Sequence, residues 1–157
     1  MSENPVYTKN IAELLTLAND FCVFAESIEN HNLDYIFRYL SGALPLLYVK
    51  GSLLEDVTVS DEMANERFVT EQSWQSIYMS FGEKFGKNDA YSVLSNPNNE
   101  EGDVIKGSLA DNLADIYQDL KDFILLFHKN QIAARENAVQ EIKKLYQSHW
   151  GPITLRV

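Results

Sequence analysis

The sequence predicts an all-α fold, an up-and-down bundle of about five helices. Apolar residues recur every three or four positions over five separate stretches, and this spacing places them on one face of a helix. Residues that favour helix starts stand before several of these stretches. With 157 residues and 45% hydrophobic content, the chain suits one globular domain over residues 1–157.

The first two helices are predicted at about residues 11–29 and 33–55. Cys22 lies in the apolar stripe of the first helix, and no basic residue stands beside it. We therefore expect a buried apolar side chain and not a nucleophile. In the second helix, Pro45 lacks a backbone donor and predicts a kink or a division of the helix.

The third helix is predicted at about residues 71–85, with Thr70 as its N-cap. Residues 87–107 are predicted to form a long irregular loop, because they are rich in Asn, Asp, Gly and Pro. Residues 91–94 could be briefly extended within it. Their acidic residues suggest a comparison with calcium-binding loops, but their spacing does not fit that of an EF-hand.

The fourth helix, at about residues 109–128, has the clearest helical period in the chain. Ser108 stands where an N-cap is needed. A fifth helix is predicted at about residues 132–149, antiparallel to the fourth, because only a short polar turn joins the two. The Gly-Pro pair at residues 151–152 predicts the end of this helix, followed by a short tail.

Composition excludes several classes of function. The formal net charge of −10 repels phosphate groups, so we expect no binding to nucleic acid and none to an anionic membrane surface. A single cysteine excludes an intramolecular disulfide. The N-terminal residues lack the features of a signal peptide, and no apolar run reaches the roughly 18 residues of a membrane span. These observations predict a cytoplasmic protein.

One group of residues could carry chemistry. The fourth helix has an acidic stripe on roughly the opposite side from its apolar face: Asp111, Asp115, Asp119 and Asp122. The carboxylates of Asp111 and Asp115 lie one helical turn apart and could share a divalent cation. In an antiparallel hairpin, residue 149 returns to the level of about residue 111, so His149 approaches both. This set would suit a metal ion or a base held by a carboxylate.

The favoured interpretation of the acidic stripe is a solvent-exposed helix face, with His149 packed at a helix end. It predicts no metal and no cofactor. Trp150, next to His149, is expected to cap the core; the alternative is contact with a partner, because Trp is common in interface hot spots. The candidate binding residues are therefore Asp111, Asp115, His149 and Trp150.

Several stretches of the chain resemble a family of bacterial domains of unknown function, family 5063. These stretches are residues 65–71, 106–109, 112–123, 136–138 and 149–151. The run from Asn112 to Phe123 is quite specific, and the resemblance extends from about Asn4 to Gly151. The resemblance implies a cytoplasmic helical domain. It implies no activity, cofactor or site residue, because the family has no established activity.

Two functional hypotheses follow. The first is a non-enzymatic protein–protein interaction or regulatory module, which binds an unknown protein partner or itself. It rests on the broad apolar stripes, the marked charge asymmetry and the lack of a strong catalytic motif. The alternative is a metal-dependent hydrolase of small phosphate-containing substrates that uses Asp111, Asp115 and His149.

The predicted kink at Pro45 supports a third hypothesis, a small-molecule pocket. Its expected lining is aromatic and consists of Phe37, Tyr39 and Tyr48. A kink within a buried helix can open such a space, although it more often lets the helix curve around the core.

Overall fold

The structure is a computed structural model that describes residues 4–94 and 102–157. In these ranges the chain forms six α-helices: α1 (Lys9–Glu26), α2 (Leu33–Ser52), α3 (Glu71–Phe85), α4 (Leu109–Phe127), α5 (Ile132–Ser148) and α6 (Trp150–Arg156). Two antiparallel strands, β1 (Ala90–Leu94) and β2 (Val104–Ser108), complete the fold. The predicted all-α class is confirmed, since 73% of the structure is helical and the helices pack as a bundle.

The central element of the bundle is α4, which contacts α1, α3, α5 and α6. Its first turn is capped by the hydroxyl of Ser108, which accepts from the N–H of Asp111 at 3.1 Å. Side chains such as Leu113, Ile116 and Leu120 are fully buried. Because neighbours surround α4, its position decides where the other helices pack.

The outer helices differ from prediction mainly at their ends. The first helix ends at Glu26 and is followed by a separate turn, and α2 ends at Ser52. Pro45 lies inside α2 without dividing it. Cys22 is 1% exposed, and burial raises the pKa of its thiol to about 12, as expected for a structural cysteine. None of the described helices combines the length and apolar character that a membrane crossing requires.

The prediction that residues 87–107 are irregular is wrong for the two described parts that form strands, Ala90–Leu94 and Val104–Ser108. The two strands pair in register from Ala90 opposite Ser108 to Leu94 opposite Val104. The composition of this segment indicates turns, whereas the pairing depends on contacts between residues distant in sequence. The calcium-loop comparison concerns a segment that includes residues 95–101, which lie outside the described residues.

Contacts with α4 and within the hairpin hold the two strands. The Asp89 carboxylate accepts from the hydroxyl of Ser108 at 2.6 Å and from a backbone N–H in the first turn of α4 at 2.7 Å. The ring of Tyr91 lies against Gly107, where an added Cβ would be 2.4 Å from it. The hydroxyl of Tyr91 accepts a hydrogen bond from the side-chain amide of Asn112. These contacts therefore anchor the hairpin to the start of α4. An isolated two-stranded ribbon would lack such contacts and would be marginally stable at best.

The C-terminal prediction is also wrong, because α6 replaces the expected tail. Pro152 is the third residue of α6 and lies in its first turn, where a backbone donor has no partner within the helix. Trp150 is 0% exposed, and its Nε1–H donates to the carbonyl of Ile142 at 3.0 Å. Trp150 is therefore a core residue whose ring no partner can reach.

The close approach of α2 to the C-terminal helices requires a glycine. A Cβ added at Gly51 would lie 2.3 Å from the ring of Tyr146 and 2.7 Å from that of Trp150. Gly42, in the same helix, has no other atom within 4 Å of such a Cβ. Packing therefore requires a glycine at position 51. At position 42 only helix propensity distinguishes glycine from alanine.

We predict opposite effects of alanine at these two positions. Gly51→Ala should lower the free energy of unfolding by about 1–3 kcal/mol, because the aromatic rings must move. Gly42→Ala should raise it by about 0.5–1 kcal/mol, because alanine favours a helix interior. Urea denaturation of both variants measures these changes. Equal effects would contradict the tight contact at Gly51.

Candidate functional site

The aspartates of α4 do not form a solvent-exposed face. Asp119 is 3% exposed and Asp122 is 9% exposed. This corrects the favoured interpretation of the acidic stripe, and the reason is that α4 is surrounded by other elements. A buried carboxylate needs donors or a cation to compensate for lost water, so each of these residues requires a partner.

His149 lies at the junction of α5 and α6 and contacts two of these aspartates. Its Nδ1 is 2.5 Å from Asp119 Oδ2, and its Nε2 is 3.6 Å from Asp115 Oδ2. Asp111 makes no hydrogen bond or ion pair with His149 in the described parts of the chain. The structure thus brings Asp115 and His149 together, but it places Asp119 where the sequence suggested Asp111.

The displacement amounts to about two turns of α4. Asp111 and Asp119 are separated by about 12 Å along the axis of α4, at about 1.5 Å per residue. Counting back from the turn assumes that residue 149 continues a straight α5 beside α4. The N–H of His149 still donates to the carbonyl of Leu145 at 2.7 Å, so His149 lies at the end of α5, and the chain then bends into α6 at its φ of −138° and ψ of −85°.

Asp115 connects α4 to α3 as well. Its Oδ1 accepts from the indole N–H of Trp74 at 2.9 Å. The indole in turn stacks on Tyr78, with ring centroids 5.4 Å apart. We call the group formed by Trp74, Asp115, Asp119 and His149 the His149 cluster. It joins α3, α4 and the α5–α6 junction.

Charge within the His149 cluster limits its chemistry. Hydrogen bonding to Asp115 and Asp119 raises the pKa of His149 to about 10, so the ring is an imidazolium at neutral pH. Burial raises the pKa of Asp119, while His149 and Arg67 oppose that shift. An imidazolium has no free lone pair, so it neither binds a metal nor accepts a proton.

The wider arrangement does not form a metal centre. Over residues 4–94 and 102–157, no group of three or more His, Cys, Asp or Glu side chains is arranged to hold a metal ion. Asp111 lies at the start of α4, where burial and the charges of Asp115 and Asp89 raise its pKa. The predicted set of Asp111, Asp115 and His149 therefore does not converge on one point.

Asp122 organises the chain before α3. Its Oδ1 accepts from the backbone N–H groups of Phe68 at 2.7 Å and Val69 at 2.8 Å. Its Oδ2 is buried and has no partner among the described residues. With Asp119 and Arg67, Asp122 lines a cavity of about 20 Å³, which exceeds the roughly 10–15 Å³ that one water needs.

Sequence reasoning missed the roles of Asp119, Asp122 and Trp74. One signal was available, since three stretches that carry the family resemblance meet here. Asp122 in 112–123 binds the backbone of 65–71, and His149 in 149–151 binds Asp119. Contact between such stretches is consistent with a shared structural requirement.

The pocket expected at Pro45 has a different lining. A groove of about 350 Å³ includes Pro45 and Phe37, together with Thr154 of α6 and Val157. Tyr39 points elsewhere, since its hydroxyl donates to Asp20 at 2.6 Å. Tyr48 packs against the ring of Tyr146. Of the three aromatic residues predicted to line this pocket, only Phe37 lines the groove.

Comparison with known proteins identifies the family. The model of the domain of unknown function DUF5063 matches residues 5–157. The chain belongs to the DUF5063 family. The crystal structure of protein BF1032 from Bacteroides fragilis is similar, with 27% identity, a TM-score of 0.85, and coverage of 97% of this chain and 89% of that one. No curated protein matches the chain.

The raised pKa of His149 makes the stability of this DUF5063 protein depend on pH. The pKa rises from 6.5 to about 10 on folding, so the folded state binds more protons between these values. The free energy of unfolding should be highest below this window and fall as pH rises through it. Because the ring is 36% exposed, we expect a loss of about 1–2 kcal/mol, well below the full linkage value.

Urea denaturation at pH values below, within and above this window measures the loss. His149→Gln should remove most of the fall, because the amide does not titrate. His31→Gln is the matched control, because the ring of His31 stacks on the ring of Tyr35, whereas the ring of His149 contacts carboxylates. Identical pH dependence in wild type and His149→Gln would contradict the ion-pair assignment.

Asp122 should contribute strongly to the stability of the DUF5063 protein. Asp122→Ala leaves the partly buried N–H groups of Phe68 and Val69 without their acceptor, so we expect a loss of about 2–4 kcal/mol in the free energy of unfolding. Asp103→Ala, at an exposed position, should change it by less than about 0.5 kcal/mol. A high-resolution crystal structure should also show one water on Asp122 Oδ2. Equal stability of the two variants would refute the anchoring role.

Proposed function

We propose that this DUF5063 protein is a cytoplasmic, non-enzymatic protein–protein interaction or regulatory module that docks its partner on the outer face of α2. One observation carries the proposal. Leu46, Val49 and Leu53 are 45%, 51% and 43% exposed and lie three or four residues apart, so they share one face. We call these three residues the α2 stripe. Single exposed apolar residues are common, but an aligned set is typical of a binding surface.

A groove beside the α2 stripe supports a helical partner. It lies between α1 and α2 and has a volume of about 500 Å³. Ala12, Leu17 and Leu46 supply its apolar part, and the ion pair between Glu13 and Lys50 crosses it. Helix-in-groove recognition uses such a surface to receive apolar side chains at three- and four-residue spacing.

Charge favours a basic partner over a second copy of the chain. Two copies would each carry a formal net charge of −10, and their approach would be opposed by repulsion. A basic amphipathic helix would instead be attracted by the net negative charge of the chain. The occupant that we propose is therefore such a helix from another protein.

No observation favours the alternative of metal-dependent hydrolysis. Asp111 lies apart from His149, and His149 is held as a cation between two carboxylates. The interaction hypothesis uses groups that the fold leaves exposed, whereas the hydrolase hypothesis needs groups that already pair with one another.

A paired capture and binding experiment tests the proposal. Wild type, Leu46→Asp/Val49→Asp and Met79→Asp are compared as baits in cell extract, followed by mass spectrometry. Met79 is the matched control because it is an apolar residue of α3 with 54% exposure. We expect at least one protein to be retained by wild type and Met79→Asp, and reduced about tenfold or more by the double variant.

The retained protein must then contain a basic amphipathic helix. A synthetic peptide of that helix should bind the wild-type protein in fluorescence anisotropy, with lower affinity at high salt. Circular dichroism should show that all three baits are folded. Retention of the same proteins by the double variant, or a light-scattering mass of a dimer that the double variant loses, would refute the proposed partner.

A further inference from the structure

The connection between α2 and α3 passes over the outside of α5. We call its middle part, residues 58–67, the strap. No residue of the strap is buried, and most are exposed. No backbone–backbone hydrogen bond joins the strap to a helix in the described part of the chain. The strap is therefore held to the bundle only by contacts that involve side chains.

Two ion pairs hold the end of the strap that leads to α3. Glu66 pairs with Lys129, in the turn between α4 and α5, and Arg67 pairs with Glu141 of α5 at 3.1 Å. All four side chains are partly exposed, by 51% and 39% in the first pair and by 54% and 27% in the second. Ion pairs of this kind contribute little to stability, because water and dissolved salt screen them.

Two hydrogen bonds hold the other half of the strap. The hydroxyl of Ser60 donates to the carboxylate of Glu136 at 2.6 Å. The side-chain amide of Asn137 donates to the carbonyl of Asp61 at 2.8 Å. Water can replace the first of these bonds when the strap moves, because Ser60 and its acceptor are exposed.

The chain is held more firmly on either side of the strap. Val57, just before it, is 8% exposed and belongs to the core. Phe68, just after it, packs against the core, and its backbone N–H donates to Asp122 at 2.7 Å. The strap is thus a weakly held segment between two anchored ends. Segments with few buried apolar contacts and exposed hydrogen bonds open locally at a lower cost than the whole domain unfolds.

Packing beneath the strap is incomplete. The cavity of about 20 Å³ that Asp122 lines also has Asn65, Glu66 and Arg67 of the strap in its lining. The Oδ2 atom of Asp122 is buried and has no partner among the described residues. The rest of the lining is mainly apolar and comes from α4 and α5: Phe123, Leu126, Ala138, Ile142 and Leu145. A void has no atoms to contact, so the strap loses few packing contacts here when it lifts.

We propose that the strap is a movable cover, which opens while the six helices stay packed and thereby widens this cavity into a groove between α4 and α5. The open groove has apolar walls, and the free carboxylate oxygen of Asp122 lies within it. Higher ionic strength shifts the balance towards the open form, because it weakens the ion pairs of Glu66 and Arg67. The strap contains no residue of the α2 stripe, so this inference does not depend on the proposed partner.

Cysteine alkylation of the full chain tests the proposal. Ala138 is 1% exposed and lines the cavity, so Ala138→Cys places a thiol beneath the strap. Cys22, in the core on α1 and 1% exposed, is the reference thiol in the same molecule. Iodoacetamide is uncharged, and mass spectrometry of peptides measures its reaction at each site. We expect position 138 to react at least about tenfold faster than Cys22, because only Cys22 requires the helices to separate.

Salt and the ion pairs of the strap provide the specific readout. When NaCl is raised from about 0.1 M to about 1 M, position 138 should react about threefold faster, and Cys22 should stay within about twofold. Adding Glu66→Gln and Arg67→Gln should accelerate position 138 up to about tenfold without accelerating Cys22. The matched control is Lys9→Gln, which removes an exposed ion pair with Glu13 on α1 and should change neither rate by more than about twofold.

Equal rates at the two thiols would show that the cavity opens only when the domain unfolds, and would overturn the proposal. So would a rate at position 138 that the two glutamine substitutions leave unchanged, or that rises only as much as the rate at Cys22.

A measurement on the wild-type chain guards against a loss of folding in Ala138→Cys, which circular dichroism would detect. A glutamate-specific protease should cut after Glu62 or Glu66 of the strap before it cuts at any glutamate within α1 or α5. A first cut within these helices would overturn the proposal.

Discussion

Burial of Asp119 and Asp122 is the constraint on which much of the architecture depends. Carboxylates removed from water are costly unless donors or cations surround them. The chain supplies His149 from the α5–α6 junction for Asp119, and two backbone N–H groups before α3 for Asp122. The requirement thus fixes two connecting segments against α4. These polar contacts act beside apolar ones, since Trp150 is buried next to His149 and Phe68 packs against the core.

This same constraint explains why residues with catalytic potential take a structural role. An Asp–His contact is compatible with general base catalysis, with metal binding and with a simple ion pair. The state of the second ring nitrogen decides among them. In His149 that nitrogen faces Asp115, so the ring is held as a cation between two carboxylates. A cation in this position stabilises buried charge, and it has no lone pair left for chemistry.

The five long helices could be predicted because their apolar period is a local property of the sequence. The period also identified Cys22 as a core residue. The β-hairpin was missed because its pairing joins residues on either side of a turn-rich segment. Helix α6 was missed because Pro152 can start a helix as readily as it ends one. The burial of Asp119 could not be predicted, since it depends on which elements pack around α4.

The proposed docking surface lies in the negative potential of the chain, but this potential alone does not make binding specific. With a formal net charge of −10, the protein raises the local concentration of any cation near its surface. At the α2 stripe, specificity must come from apolar side chains, because the neighbouring Glu13 and Lys50 neutralise one another. Affinity that depends on salt would therefore say little about this surface, whereas dependence on a single apolar side chain distinguishes recognition from general attraction.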